Sequence, residues 1–209
     1  MRDIASSILI VLGNILVLSN GSHRSHSVTF NELPNLISSP SFIIYIAAAY
    51  SIALLLHKLK AAGILGGANL SSFEITGFDI SPGTLFLASA GRYSQLEISR
   101  GLPEYWKNNF FDSTPGNTWT LKPEIRSMVT FKKRNLQDDL SNLGLFDLVL
   151  CRNVAIYFEE DFKKDLFTRL AQVILPNGHL MLGGTESLFT HQHLYSAENV
   201  AGSFFYRRK

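Results

Sequence analysis

Asp79 ends the stretch "FEITGFD" and Asn135 follows "MVTFKKR", two stretches that we predict to be strands, so each stands where a side chain can meet a ligand. A carboxylate such as that of Asp79 can accept hydrogen bonds from both hydroxyls of a ribose. Asp79 or Ser81 can equally cap a helix that begins at Pro82. Asn135 can hydrogen-bond the edge of a nucleobase while Leu136 presses on its face, or the two can be a plain exit from a strand. These residue types are compatible both with a nucleoside-binding site and with the ordinary ends of strands and helices.

Arg152 and Asn153 follow directly on the apolar run "FDLVLC". Two polar side chains at the end of a buried strand cost free energy unless they meet a partner. This placement favours a functional role over a plain chain exit. Tyr157 follows closely, and it either lines the same cleft or packs in the core.

The elements that would position these residues are strands alternating with helices. Six segments have the apolar character of strands, namely Ile43–Ala49, Phe73–Asp79, Met128–Arg134, Phe146–Cys151, His179–Gly183 and Gly202–Arg207. Four have the spacing of helices, namely Tyr50–Ala62, Pro82–Gly91, Leu102–Asn108 and Glu160–Ile174. This order predicts an α/β fold, a largely parallel sheet with helices on both faces and an antiparallel pair at one edge. Ligands of such sheets bind beyond the carboxyl ends of the strands.

Two apolar stretches near the N-terminus require a comparison with membrane spans. Residues 8–18 are interrupted by Asn14, and residues 42–56 pass into the amphipathic "HKLKAAG". Both are shorter than the roughly 20 residues of a spanning helix. The first is predicted to be a core or partner-facing segment, followed by a polar linker. The second is predicted to be a strand and then a helix, and no stable membrane insertion is expected.

The composition excludes several classes of protein. The 209 residues include 46% hydrophobic and 17% charged residues, which is typical of a globular domain, and the net charge of +2 does not favour a nucleic-acid partner. Cys151 is the one cysteine, so neither an internal disulfide nor a multi-cysteine zinc site is possible. His191 and His193 are close in sequence, and we expect a solvated loop there rather than a metal site.

Four stretches together carry a resemblance to a known family. "GFDISPGTLFLASAGRYSQLEISRGLPEYW", "KPEIRSMVTFKKRNL", "FDLVLCRNVAIYF" and "LPNGHLMLGGTESL" resemble successive motifs of the CheR-type chemotaxis methyltransferases. That family transfers a methyl group from S-adenosylmethionine to glutamate side chains of chemoreceptors. The resemblance implies a Rossmann-like class I methyltransferase sheet over residues 41–209, with a small β-subdomain at about 119–131. Residues 1–40 are then an atypical N-terminal segment and linker.

The resemblance also implies roles for the residues named above. Asp79 matches the residue that binds the cofactor ribose, and Tyr157 matches the tyrosine near the methyl-transfer centre. Arg152 lies on the cofactor side of that centre, and it is a candidate catalytic residue together with Tyr157. The implied S-adenosylmethionine site comprises Asp79, Asn135, Leu136, Arg152 and Asn153. The implied partners are glutamate-containing helices of chemoreceptors, and the implied location is the cytoplasm.

Two parts of the family pattern are absent. "IYIAAA" runs directly into "YSIALLL", where the family has a loop of the form S-x-G-E/Q-E-P, and "HSVTFNELPNL" does not reproduce the upstream stretch that carries a substrate-side arginine. These departures predict weakened cofactor binding and poor substrate placement. Three explanations remain open: a degenerate or truncated enzyme, an active enzyme whose sequence as given has a frameshift, a faulty gene prediction or omitted residues, and a non-catalytic module that binds a receptor or signalling partner.

Overall fold

The computed structural model describes residues 6–11, 48–99, 102–152, 154–184, 186–200 and 203–209. Within these residues, seven strands form one sheet and three short strands form a second. The strands of the large sheet are β1 (Ser6–Val11), β2 (Phe73–Asp79), β6 (Val129–Lys133), β7 (Phe146–Cys151), β8 (Ile174–Leu182), β9 (Tyr195–Val200) and β10 (Ser203–Arg208). Those of the small sheet are β3 (Arg92–Ser94), β4 (Phe111–Thr114) and β5 (Thr118–Leu121).

The large sheet has the strand order β6-β2-β1-β7-β8-β10-β9. β6, β2, β1, β7 and β8 are parallel to their neighbours, whereas β10 is antiparallel to both β8 and β9. The predicted α/β sheet with an antiparallel edge is therefore confirmed. The antiparallel part contains one strand more than the sequence indicated, because β9 was missed.

The centre of the sheet differs from the prediction. β1 lies between β2 and β7, with Ser6 to Val11 aligned against Phe73 to Phe78. The predicted first strand, residues 43–49, is wrong at its end because Ala48 and Ala49 begin a helix, and residues 43–47 lie outside the described part. Ser6–Val11 belongs to the sheet, although these residues precede the predicted domain start at residue 41.

The helices are α1 (Ala48–Ala61), α2 (Pro82–Ala90), α3 (Gln95–Ser99), α4 (Glu104–Phe110), α5 (Pro123–Arg126) and α6 (Glu160–Val173). α1 is rich in Ala and Leu, which are strong helix formers and account for its start before Tyr50. The hydroxyl of Tyr50 donates to the carbonyl oxygen of Ala88 at 3.0 Å, and burial raises the pKa of Tyr50 to about 12. This contact joins the first turn of α1 to the end of α2. In the part of the chain that the structure describes, no helix is both long and apolar enough to cross a membrane.

Two hydrophobic clusters cover opposite faces of the large sheet. Leu148 and Leu150 of β7 pack with the apolar residues of α1 in one cluster, whereas Val149 and Cys151 pack with those of α6 in the other. Consecutive residues of a strand point to opposite faces, so β7 must be apolar throughout. The predicted helices on both faces are confirmed.

The small sheet lies upstream of its predicted place. Its strands pair in the order β3-β5-β4 and span Arg92 to Leu121. The prediction placed this subdomain at about 119–131, but Val129–Lys133 is the edge strand β6 of the large sheet. Strands of three or four residues are too short to show a period of two in the sequence, which explains the displacement.

Gly178→Ala is expected to destabilise the protein by about 1–3 kcal/mol, because the added methyl group has no space. A Cβ atom at Gly178 would lie 2.9 Å from the carbonyl oxygen of Leu175 and 3.0 Å from that of Asp147. Gly83→Ala is the matched control, since its Cβ would meet only Ser81 Oγ at 3.7 Å. Urea denaturation of the wild type and of both variants measures the differences in the free energy of unfolding. Equal stability of the two variants would contradict the close packing around Gly178 in β8.

Candidate functional site

Four neighbouring strands of the large sheet end at the same edge. Phe78 is the Cα partner of Val11, and Asp79 is that of Lys133. On the other side of β1, Ile10 is aligned with Leu150, one residue before the end of β7. Because adjacent strands are about 4.8 Å apart, the ends of β6, β2, β1 and β7 span about 15 Å. The residues that follow these strands therefore share one edge, as predicted.

Asp79 is the last residue of β2, and its carboxylate is half-buried. Its Oδ1 atom accepts a hydrogen bond from the Ser81 N–H at 2.7 Å. Burial raises the pKa of Asp79, while the N–H groups of Ser81 and Ile80 act in the opposite direction. A carboxylate has about four acceptor positions, so these two amides leave capacity for two hydroxyl groups.

Ser81, rather than Asp79, caps α2. Ser81 Oγ accepts from the Thr84 N–H at 3.3 Å, Pro82 occupies the first helical position, and Gly91 ends the helix with a φ of 58°. This is the usual arrangement of a polar N-cap and a C-terminal glycine. Since Ser81 caps the helix, the alternative role of Asp79 as the N-cap is not supported, and its carboxylate can accept a ligand.

Asn135 lies two residues after β6, in a turn held by α6. Its Oδ1 atom accepts from the Gln137 N–H at 3.0 Å. Arg169 Nη1 of α6 donates to the carbonyl oxygens of Leu136 at 2.9 Å and Asp138 at 3.0 Å. The turn is therefore fixed in place beside Asp79, and this position suits a residue that contacts a base.

Leu136 is placed differently from its predicted role. Its side chain is 8% exposed and belongs to the cluster that contains Phe78 and Leu140. A side chain that already packs in the core has little surface left for the face of a base. Its predicted contact is therefore not favoured, although its backbone remains next to Asn135 at the edge.

Arg152 leaves β7 at this edge, next to a carboxylate that the sequence did not single out. Cys151 is the Cα partner of Leu182, so Arg152 and Gly183 emerge side by side. Burial lowers the pKa of Arg152, and the negative charge of Glu186 acts against this shift. Glu186 lies in the stretch "GGTES", where an acidic residue among small residues after a strand was the available signal. Asn153 lies outside the described residues, and its role stays a prediction.

Large apolar side chains are exposed near the same edge. Tyr157 ends a short 3-10 turn after β7 and is 82% exposed, so it is not a packing residue of the core. Ile80, directly after Asp79, is 58% exposed, and Ile156 is 44% exposed. Exposed apolar surface is typical of a ligand or partner site when it lies beside convergent polar groups. Ile80 and Ile156 were not predicted from the sequence.

The direct junction of a strand and a helix that was predicted between Ala49 and Tyr50 is not found in the structure, because both residues belong to α1. β1 ends at Val11 and α1 begins at Ala48, so residues 12–47 connect them rather than a direct junction at Ala49 and Tyr50. These connecting residues are outside the described part. The departure from the family sequence remains.

The histidine pair has a structural explanation. His191 is 4% exposed; its Nδ1 atom lies 3.0 Å from Thr190 Oγ1 and its Nε2 atom lies 3.2 Å from the carbonyl oxygen of Lys164. Both ring nitrogens therefore have partners, Nδ1 within its own turn and Nε2 on α6. The expected solvated loop is wrong for His191 and correct for the exposed His193. Among the described residues, no group of three or more potential metal ligands occurs.

The donor set at this edge fits an adenosine that carries a charged substituent. Asp79 offers acceptor positions for ribose hydroxyls, and the turn at Asn135 offers amide groups for a base. Arg152, on the other side of β1, offers a cation for a carboxylate such as that of a methionine moiety. The chemistry of S-adenosylmethionine matches this order of groups along the edge.

Comparisons with known proteins identify the family of this chain. The family described as "CheR methyltransferase, SAM binding domain" matches residues 47–202. The chain is 34% identical over 160 residues to chemotaxis protein methyltransferase 1 of Pseudomonas aeruginosa, covering 77% of this chain and 58% of that protein. It is 36% identical over 141 residues to chemotaxis protein methyltransferase 1 of Vibrio cholerae, covering 66% and 50%. The chain thus spans about half the length of the curated relatives it matches, and it belongs to the CheR methyltransferase family through the SAM-binding domain.

Proposed function

We propose that this chain transfers a methyl group from S-adenosylmethionine to glutamate side chains of chemoreceptors. The observation that carries the proposal is the common edge of the parallel strands β6, β2, β1 and β7, because the chain continues into Asn135, Asp79 and Arg152 at that edge. The relatives named as chemotaxis methyltransferases support the choice of acceptor. The proposed cofactor and acceptor place the reaction in the cytoplasm.

In this proposal, each residue at the edge has a positioning task. Asp79 accepts the ribose hydroxyls, and Asn135 contacts the adenine. Arg152 and Asn153 hold the cofactor on the side where the methyl group leaves. The exposed ring of Tyr157 lies at the acceptor side, where it orders the incoming glutamate and excludes water.

The chemistry needs no general base. S-adenosylmethionine supplies, when bound, a methyl group on a positively charged sulfur. A glutamate carboxylate is already ionised at pH 7, since its ordinary pKa is about 4.3. In the transfer, the carboxylate oxygen would take the methyl group and the electron pair of the carbon–sulfur bond would stay on sulfur, so no side chain of this protein has to accept a proton. Alignment of the two reacting atoms is then the main contribution of the protein.

A methyl-transfer assay tests the proposal. The full chain is incubated with S-adenosylmethionine that carries a tritiated methyl group, together with cytoplasmic fragments of chemoreceptors from the same cell. We expect base-labile methyl esters on the fragment, and none on a fragment whose acceptor glutamates are replaced by alanine. The missing family motifs predict a rate below that of a relative that retains them.

The non-catalytic alternative makes a different prediction in the same experiment. A module that only binds receptors would retain the fragment on a column without binding S-adenosylmethionine in a titration. That combination would overturn the proposed activity. The family match to a SAM-binding domain does not favour this outcome.

A further inference from the structure

The ends of β7 and β8 place Arg152 and Gly183 next to each other. The two strands are parallel neighbours, and Cys151 and Leu182 are the last aligned pair. Side chains or turns that follow this pair are therefore within reach of each other at the carboxyl edge of the sheet. A group held by the turn after β8 can act directly on the Arg152 side chain.

The turn after β8 fixes one carboxylate in that position. The Glu186 N–H donates to the carbonyl oxygen of Gly183 at 3.0 Å, which closes the turn. The Gly183 N–H in return donates to Glu186 Oε2 at 2.8 Å. Because these two hydrogen bonds close the turn at both ends, they hold the Glu186 carboxylate against the end of β8.

The charge of this carboxylate reaches the end of β7. Burial, the larger cause, and the negative charge of Glu186 both raise the pKa of the Cys151 thiol. Burial lowers the pKa of Arg152, and the charge of Glu186 opposes this shift. These directions agree with the geometry, in which the carboxylate is held at Gly183, next to the end of β7. Its Oε1 atom is shielded from solvent, as is the Nε atom of Arg152. A shielded charge is costly unless an opposite charge lies near it, so the carboxylate of Glu186 lowers the cost of burying the Arg152 guanidinium.

We infer that Glu186 is a positioning residue that holds the Arg152 guanidinium at the cofactor edge of the sheet. This inference rests on the proposed function, since it makes Glu186 act on the cofactor only through Arg152. Glu186 also lines a pocket of about 190 Å³ together with Ile156 and Lys163. It therefore links the cofactor side of the edge to the segment that carries Tyr157.

Glu186→Gln is the variant that separates charge from turn structure. The amide oxygen of glutamine can still accept the Gly183 N–H, so the turn is retained while the negative charge is lost. We expect affinity for S-adenosylhomocysteine, measured by calorimetry, to fall roughly tenfold. Glu198→Gln is the matched control, since Glu198 also pairs with an arginine, Arg207, but on β9 and β10 away from the edge.

A second measurement uses the free protein and needs no cofactor. The Arg152 Nε–H signal in an NMR spectrum, assigned with Arg152→Lys, is expected to shift in Glu186→Gln and to stay unchanged in Glu198→Gln. Unchanged affinity in Glu186→Gln, or reduced affinity with an unchanged Arg152 signal, would overturn the inference.

The wild-type protein separates this inference from the proposed function. If the wild type does not bind S-adenosylhomocysteine, the proposed function fails, and the role of Glu186 toward the cofactor fails with it. The NMR signal then still decides whether Glu186 orients Arg152. If the wild type binds and only the Glu186 result is negative, the proposed function stands and the inference alone is lost.

Discussion

Asp79→Asn is expected to weaken the binding of S-adenosylhomocysteine roughly 100-fold, which is the largest effect of any single change at the edge. Hydrogen bonds to a charged group contribute about 1.5–3 kcal/mol each, and two ribose hydroxyls depend on this carboxylate. The asparagine keeps an oxygen that can accept the Ser81 N–H, so the path of the chain into α2 is retained. The loss therefore reports on the ligand rather than on the turn. Calorimetric titration of the folded variant gives the ratio of dissociation constants.

Asp139→Asn is the matched control for this experiment. Asp139 makes the same kind of turn, since its Oδ1 atom accepts from the Ser141 N–H at 2.9 Å. It is exposed and belongs to the loop between β6 and β7, so the change in net charge is identical while the candidate site is untouched. A loss within twofold for Asp79→Asn, or equal losses in both variants, would show that Asp79 does not bind the ribose.

Leu9→Pro is expected to destabilise the protein by about 3 kcal/mol or more, enough to leave much of a marginally stable domain unfolded. Leu9 is aligned with Thr76 of β2 and with Val149 of β7, so β1 has a hydrogen-bonded neighbour on each side. Proline has no N–H group and is therefore not tolerated in a central strand. Circular dichroism during urea denaturation measures the loss.

Ile44→Pro tests the competing assignment of the central strand. The sequence predicts a strand at residues 43–49, and if that strand lay at the centre of the sheet, this substitution would be the damaging one. We expect Leu9→Pro to be the more harmful of the two. The reverse order would refute the position of β1 and restore the sequence-based assignment.

The elements predicted correctly have strong local signals. β2 and β7 have the predicted limits, Phe73–Asp79 and Phe146–Cys151, because both are rich in apolar, β-branched and aromatic residues and are followed by polar residues. The predicted helix at residues 160–174 differs from α6 only at its last residue. Its buried positions follow the helical period, with Leu166 and Leu170 on one stripe. Once such strands are parallel, their polar ends must share an edge, which is why Asp79, Asn135 and Arg152 could be placed together.

The elements that were missed depend on distant parts of the chain. Residues 6–11 and 43–47 are both apolar enough for a strand, and the choice between them is made by pairing with β2 and β7, which no local pattern reveals. β9 carries polar residues such as Glu198 and Asn199 within an edge strand, so its apolar signal is weak. Glu186 was missed because its charge acts on Arg152, which lies at the end of a different strand of the sheet. Long-range pairing of this kind cannot be inferred from one sequence.

The limits of the family match and of the sheet do not coincide at the N-terminal side. The match begins at residue 47, whereas the strand between β2 and β7 comes from residues 6–11. A recombinant fragment trimmed to the matching residues would leave a gap of about 10 Å between two separate groups of strands. Its exposed inner edges would favour self-association. Crystallisation or biophysical work on this domain should therefore keep the first eleven residues attached.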